Sequence, residues 1–238
     1  VSRGVRGYKI DRGEEGELPA SLQNEMTVLD DQMAHEGLHD AYGDDIFLFA
    51  RNTYDRSRQF VASWNGDTTT TFAGLIASVK IAQRDGAILF PMAGSDTGGF
   101  SGSAPTKELF ARWLQFSANG PMMETLLGPG RTIWNDYGTG PDATAPSLID
   151  IARTFTQEHH DLIPYTRSGL YTATQTGMPV IRMLAFAFPD DPNVADMWDE
   201  YMLGDAILVA PVTVDQARSR TVYLPGGDWI DYNDKVAR

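Results

Sequence analysis

Residues 60–67, Phe60-Val61-Ala62-Ser63-Trp64-Asn65-Gly66-Asp67, read as a short, mostly apolar strand that stops at an Asn-Gly-Asp turn. Helical spacing follows over Leu75 to Arg84, and a second strand, Gly86 to Asp96, runs into Gly94-Ser95-Asp96-Thr97-Gly98-Gly99-Phe100. Upstream the same grammar repeats. Gly4 to Asp11 carries Val5, Tyr8 and Ile10 into an acidic end, and Asp45 to Arg51 holds the apolar run Ile46-Phe47-Leu48-Phe49-Ala50. Between them, Pro19 to roughly Glu36 is expected to be helical, with Leu22, Met26, Leu29 and Met33 on one face. Downstream, Ala104 to Asn119 reads as a helix opened by Pro105, Pro121 to Leu127 as a strand, and Leu148 to about His160 and Tyr165 to Thr176 as two helices. Met178 to Phe186 closes the series of strands.

Strands alternating with helices of this length imply βα units, an α/β class and a parallel sheet, open or closed. From about residue 200 the character changes. Ala206 to Val212, Arg220 to Leu224 and Trp229 to Tyr232 are short strands parted by Asp/Gly turns, with no room for helices, so a small antiparallel domain is expected there.

Composition removes several function classes. Asp and Glu number 32 against 19 Lys and Arg, a formal charge of -13 that repels a phosphate backbone, and the basic residues form no patch, so no nucleic-acid partner is expected. No cysteine is present, which excludes thiolate nucleophiles and Cys-based metal sites but leaves the compartment open, cytoplasmic or secreted. No apolar run approaches the roughly 20 residues of a membrane helix. Neither His35 with His39 nor the pair His159 and His160 comes with a third strong ligand, so no metal is expected, and the Thr68 to Thr71 run lacks the Gly-rich loop and lysine of a nucleotide site. No cofactor is implied.

What remains is acidic chemistry at strand ends. In a (β/α)8 barrel, catalytic groups sit where strands end, because the loops there converge on the axis. Asp11, Asp67 and Asp96 each follow a strand-like segment, and Arg51 ends another, placed to bind substrate or hold a carboxylate ionised. Lys9 alternates with Asp11, so both point to one side of the strand, and a lysine facing a barrel centre needs a partner, for which Asp11 and Glu14 are the neighbours in sequence. Trp64, ahead of Gly66, belongs to a pattern that can press an aromatic ring near a sugar while leaving the Asp67 carboxylate exposed. Glycosidic cleavage needs two carboxyl groups of unequal proton affinity. Lys9 and Arg12 beside Asp11 favour it as the ionised nucleophile; Asp67, with Trp64 near and fewer charges, fits the acid/base.

These residues resemble glycoside hydrolase family 31, the α-glucosidase and α-xylosidase family. Gly7-Tyr8-Lys9-Ile10-Asp11-Arg12-Gly13-Glu14 is similar to its nucleophile strand, Phe49-Ala50-Arg51 to the strand with a substrate-binding arginine, and Trp64-Asn65-Gly66-Asp67 to the Trp-x-Gly-Asp signature of the acid/base. Gly94 to Phe100 resembles the next motif, where the aspartate, Asp96, orders the site and the phenylalanine, Phe100, lines the sugar pocket. Met202 to Val212 and Val222 to Trp229 resemble the entry to the family's C-terminal β-domain. The resemblance implies residues 1–198 as the C-terminal part of a catalytic (β/α)8 barrel and 199–238 as the start of a β-sandwich domain. Its partners would be an oligosaccharide or glycoside substrate and the remaining barrel half with flanking β-domains of the same protein. No membrane partner is expected, and homo-oligomers remain open.

Departures from the pattern bear on the sugar. The family's pocket histidine falls on Leu126, Arg12 replaces an apolar residue, and Lys9 is like the α-xylosidase branch; Trp134 is a candidate for an outer subsite. The interval from Asp11 to Asp67 looks short for the crossovers that parallel strands require, and the opening at Val1 reads as a fragment. The reading is therefore a retaining α-glycosidase with carboxyl groups about 5–5.5 Å apart. Its rivals are an α-xylosidase, an α-galactosidase, an α-transglycosylase, and a non-catalytic carbohydrate-binding or structural remnant.

Overall fold

A computed structural model describes residues 4–13, 18–125, 133 and 146–238. Four parallel strands, β1 (Gly7–Ile10), β2 (Phe47–Ala50), β3 (Ala62–Trp64) and β4 (Ala93–Gly94), pair in sequence order. Helix α1 (Gln23–Tyr42) joins β1 to β2, a 3-10 turn (Asp55–Gln59) joins β2 to β3, and α2 (Phe72–Ala87) joins β3 to β4. Then come α3 (Lys107–Ala118) and α4 (Leu148–Thr176). A second sheet, antiparallel, is built from β5 (Ile181–Met183), β6 (Tyr201–Leu203) and β7 (Ile207–Val209), with a one-turn helix α5 (Leu184–Ala187) after β5.

The helices start where local chemistry supplies an acceptor for orphan backbone N–H groups. Thr71 caps α2 through the Gly74 amide, Thr106 caps α3 through Leu109, and Ser147 caps α4 through Asp150. Their apolar faces then merge. Leu75, Val79 and Ala82 of α2, Leu109, Trp113 and Phe116 of α3 and Leu162 of α4 form one core with Ile181, Tyr201, Leu203 and Val209 of the antiparallel sheet. The C-terminal strands are thus cemented to the helical layer behind the parallel sheet. A smaller cluster, Leu38 with Leu48, Ala50 and Val61, fastens α1 to β2.

Arg220 to Leu224 and Trp229 to Tyr232, read as strands, form none beyond an isolated bridge at Ile230, and four further expectations change. Helix α1 continues to Tyr42, so the first crossover has its full length, and the second is made by residues 51–61 around the 3-10 turn. The interval that looked short needs no missing residues. Second, the stripe Leu22, Leu29 and Met33 of α1 faces away from the sheet, at 50%, 53% and 67% exposure, while Thr27, Val28, Asp31 and Leu38 are buried. Apolar residues line both sides of this helix, and periodicity alone does not say which side meets β2. Third, α4 runs unbroken through Pro164, because the proline's cost of about 3 kcal/mol is spread over a 29-residue helix anchored by Leu148, Leu162, Thr166 and Ala173. Fourth, the segment read as the last barrel strand pairs antiparallel with β6, Ile181 opposite Leu203.

Asp31 is fully buried under the 3-10 turn, and burial pushes its carboxyl up to about 7; Ser57 opposes that shift and Asp30 adds to it. Between pH 4 and 7 the folded chain keeps a proton that the unfolded chain releases, so stability contributed here falls as pH rises through that window. Asp31→Asn is expected to flatten this slope and to stabilise the full-length protein above pH 7 by on the order of 3–4 kcal/mol. Denaturant unfolding at pH 5 and pH 8 checks it. Parallel pH profiles for variant and parent would refute it.

Candidate active site

Side chains alternate across the parallel sheet, so Ile10, Leu48 and Ala50 pack toward α1 while Lys9, Phe49 and Trp64 occupy the opposite, inner face. Ile10 is paired with Ala50, and the residues that follow them, Asp11 and Arg51, leave the sheet side by side. Arg51 Nε lies 3.0 Å from Asp11 Oδ1 and Arg51 Nη1 lies 3.1 Å from Asp67 Oδ1. One guanidinium thus joins two carboxylates carried by different strands. The carboxylates stay reachable, at 59% and 45% exposure, whereas the arginine is largely buried. The cation that touches Asp11 is therefore Arg51, from the next strand, and Asp67 shares it. The unequal charge read from the neighbours in sequence is not what separates the pair.

The loops around the pair are held from behind. Trp64 Nε1 donates to the Ile10 carbonyl at 3.4 Å, and Gln23 Nε2 donates to the Gly13 carbonyl at 3.1 Å. Gly13 has φ +92°, and a Cβ there would sit 2.4 Å from Asn52 Nδ2, whose amide is fixed by Asp30 Oδ2 at 3.0 Å. Only glycine fits this passage. Arg12, before it, is exposed and also left-handed, at φ 72°. The loop after β3 is tied to the loop after β4, since the Phe100 amide donates to the Thr68 carbonyl at 2.8 Å and the Thr70 amide to Ser101 at 2.9 Å. Gly99 permits that approach, its Cα facing Thr69 and Thr70 backbone with room for no Cβ. Phe100 itself is half-buried.

Lys9 belongs to a second group. Its ammonium donates to Asp96 Oδ1 at 2.6 Å and to the Glu124 carboxylate at 3.2 and 3.3 Å, and it lies 3.6 Å from the centre of the Trp64 ring. Among the described residues its carboxylate partners are these two distant ones and not Asp11; Glu14 lies outside the described residues. Trp64, expected to face a sugar, is 2% exposed with Lys9 over its ring. Asp96 is wholly buried; burial pushes its carboxyl upward against the pull of Lys9, and Glu124 adds to the rise. Glu124 reaches the site because its segment forms a parallel bridge with Asp96, the Thr97 amide donating to the Glu124 carbonyl at 3.2 Å. Glu124 was not among the expected site residues, although a lone acid in Pro121-Met122-Met123-Glu124 marked it.

Leu126 and Trp134 lie outside the described residues. Among the described residues no group of His, Asp and Glu is arranged to hold a metal ion, and no helix is long and apolar enough to cross a membrane. Two exposed carboxylates sharing a buried arginine are equipped for nucleophilic attack and for proton transfer at an acetal oxygen.

Comparison with known proteins bears on this geometry. Residues 4–172 match the model of the glycosyl hydrolases family 31 TIM-barrel domain, and residues 177–238 match that of the glycosyl hydrolase family 31 C-terminal domain. The chain is similar to human neutral alpha-glucosidase C, 34% identical over 188 residues, covering 78% of the chain and 20% of that protein. It is also similar to the isomaltosyltransferase of Sporosarcina globispora, 27% identical over 251 residues, covering 96% of the chain and 22% of that protein. Among solved structures, the cycloalternan-degrading enzyme from Trueperella pyogenes in complex with a covalent intermediate superposes with a TM-score of 0.86 at 28% identity, over 98% of the chain and 34% of that structure. The chain spans about a fifth of the length of the two curated relatives described.

Proposed function

Because the chain belongs to glycosyl hydrolase family 31, we propose that it carries the catalytic pair of a retaining α-glycosidase, with Asp11 as nucleophile and Asp67 as acid/base. The observation that carries this reading is the single Arg51 guanidinium shared by two reachable carboxylates at neighbouring strand ends. Asp11 attacks the anomeric carbon while Asp67 gives its proton to the leaving oxygen; Asp67 then takes a proton from water as the water oxygen attacks the anomeric carbon and displaces the Asp11 carboxylate. Arg51 holds both groups in register before substrate arrives. A relative captured with a covalent intermediate is in keeping with this route. Lys9, Trp64, Asp96 and Phe100 shape the surroundings of the bound sugar.

The remaining barrel half and flanking β-domains complete the site. In support, among the described residues β1 pairs with β2 alone, and Phe47 presents apolar surface on the inner face beside it. Transfer to a second sugar in place of water is the alternative favoured by the likeness to an isomaltosyltransferase.

The test is the anomer first released. Proton NMR of the full-length protein acting on an aryl α-glucoside, α-xyloside and α-galactoside is expected to show the α-anomer of one sugar appearing before mutarotation. First release of the β-anomer would exclude double displacement, and absence of turnover on all three would favour a binding role. Added acceptor sugar separates transfer from hydrolysis.

A further inference from the structure

An ammonium group has three N–H donors and no acceptor. At Lys9 each of them is spoken for: one meets Asp96 Oδ1 at 2.6 Å, one the Glu124 carboxylate at 3.2 Å, and the third side of the group lies against the Trp64 ring at 3.6 Å. The lysine is largely buried in this arrangement, with its side chain 19% exposed. Arg51, a second cation at the strand ends, is engaged by Asp11 and Asp67. What the inner face turns toward a sugar is therefore a set of acceptors. Besides Asp11 and Asp67 these include Glu124, whose side chain keeps 16% exposure, while Asp96 lies wholly buried behind it.

From this we infer that Glu124 is a specificity-determining residue: by committing Lys9 to itself and Asp96, it makes the site select neutral glycosyl groups, which offer hydroxyl donors, and reject glycosides bearing a carboxylate or sulfonate. Three carboxylates that a substrate can reach, Asp11, Asp67 and Glu124, stand beside two cations already engaged among the described residues of this face, so an anionic substituent there meets repulsion. Lys9 acts here as a positioning residue. The inference rests on the proposed glycosidase reading.

The experiment compares kcat/KM for 4-nitrophenyl α-glucoside and 4-nitrophenyl α-glucuronide in the full-length protein. Glu124→Gln, nearly isosteric, is expected to raise the ratio of anionic to neutral substrate at least about tenfold, through the KM of the glucuronide, since a released ammonium gains a charge-assisted bond. Lys9→Met is expected to lower the ratio, and the double variant to lose the gain. An unchanged ratio in both single variants, or an equal loss on both substrates in Glu124→Gln as a purely structural residue would give, overturns the inference. Calorimetric binding of D-glucose and D-glucuronate reads the same ratio without turnover. A wild-type protein that binds these sugars with the expected preference but cleaves neither aryl glycoside would count against the glycosidase reading and leave this inference standing.

Discussion

Asp11→Asn in the full-length protein is expected to remove turnover by roughly four to six orders of magnitude, about 5–8 kcal/mol of activation free energy. The loss should be as deep on an aryl glycoside with an activated leaving group as on a natural one, because no covalent bond to the anomeric carbon can form in either case. An amide keeps the shape of the carboxylate but has little nucleophilicity. The substitution is otherwise mild for the fold. The Asp11 side chain is 59% exposed and pairs with Arg51, which retains Asp67. Stability should move by no more than about 0.5 kcal/mol, so lost activity with an unchanged unfolding midpoint separates chemistry from misfolding. Steady-state kinetics on both substrate types decides it. Residual turnover above about one per cent, well short of the loss a missing nucleophile produces, would remove Asp11 from the role.

Much of this arrangement could be read before any coordinates. The strand ends at Asp11, Arg51, Asp67 and Asp96 were legible because short apolar runs stopped at glycine or polar residues, and strand alternation put Lys9 on the side of Asp11. Local signals of that kind reach only a few residues. The partners of Lys9 lie 87 and 115 positions away, at Asp96 and Glu124, and no pattern around residue 9 points to them. Arg51 is 16 positions from Asp67, yet its bridging role depends on the register of β1 against β2, which the turn chemistry does not specify. The same limit explains α1 and β5. Leu22, Leu29 and Met33 form a sound helical stripe, but burial depends on which side the sheet lies. Ile181 to Met183 has the composition of a parallel core strand, yet its pairing with β6 depends on the Tyr201 to Leu203 segment arriving antiparallel beside it. Trp64 shows the converse. Its signature was plain, while its burial beneath Lys9 is a product of packing.

Asp67→Asn is expected to have an effect whose size depends on the leaving group. For an alkyl or sugar leaving group, departure requires a proton at the glycosidic oxygen, and loss of general acid catalysis should lower kcat/KM by about 10²–10⁴-fold. For a dinitrophenyl glycoside the leaving oxygen needs no proton, so formation of the glycosyl-enzyme should be spared to within about tenfold. Hydrolysis of that intermediate still needs a base to take the proton of water, and Asp67 is the group placed to do so. The variant should therefore accumulate intermediate on the activated substrate, releasing one equivalent of dinitrophenol in a burst before a slow steady state. Arg51 loses Asp67 but keeps Asp11 at 3.0 Å, so the nucleophile remains paired. Stopped-flow absorbance on the activated substrate, beside steady-state rates on a natural one, measures both effects. If the leaving-group dependence followed Asp11→Asn instead, the two roles would be reversed; if neither variant showed it, proton transfer would belong to another residue.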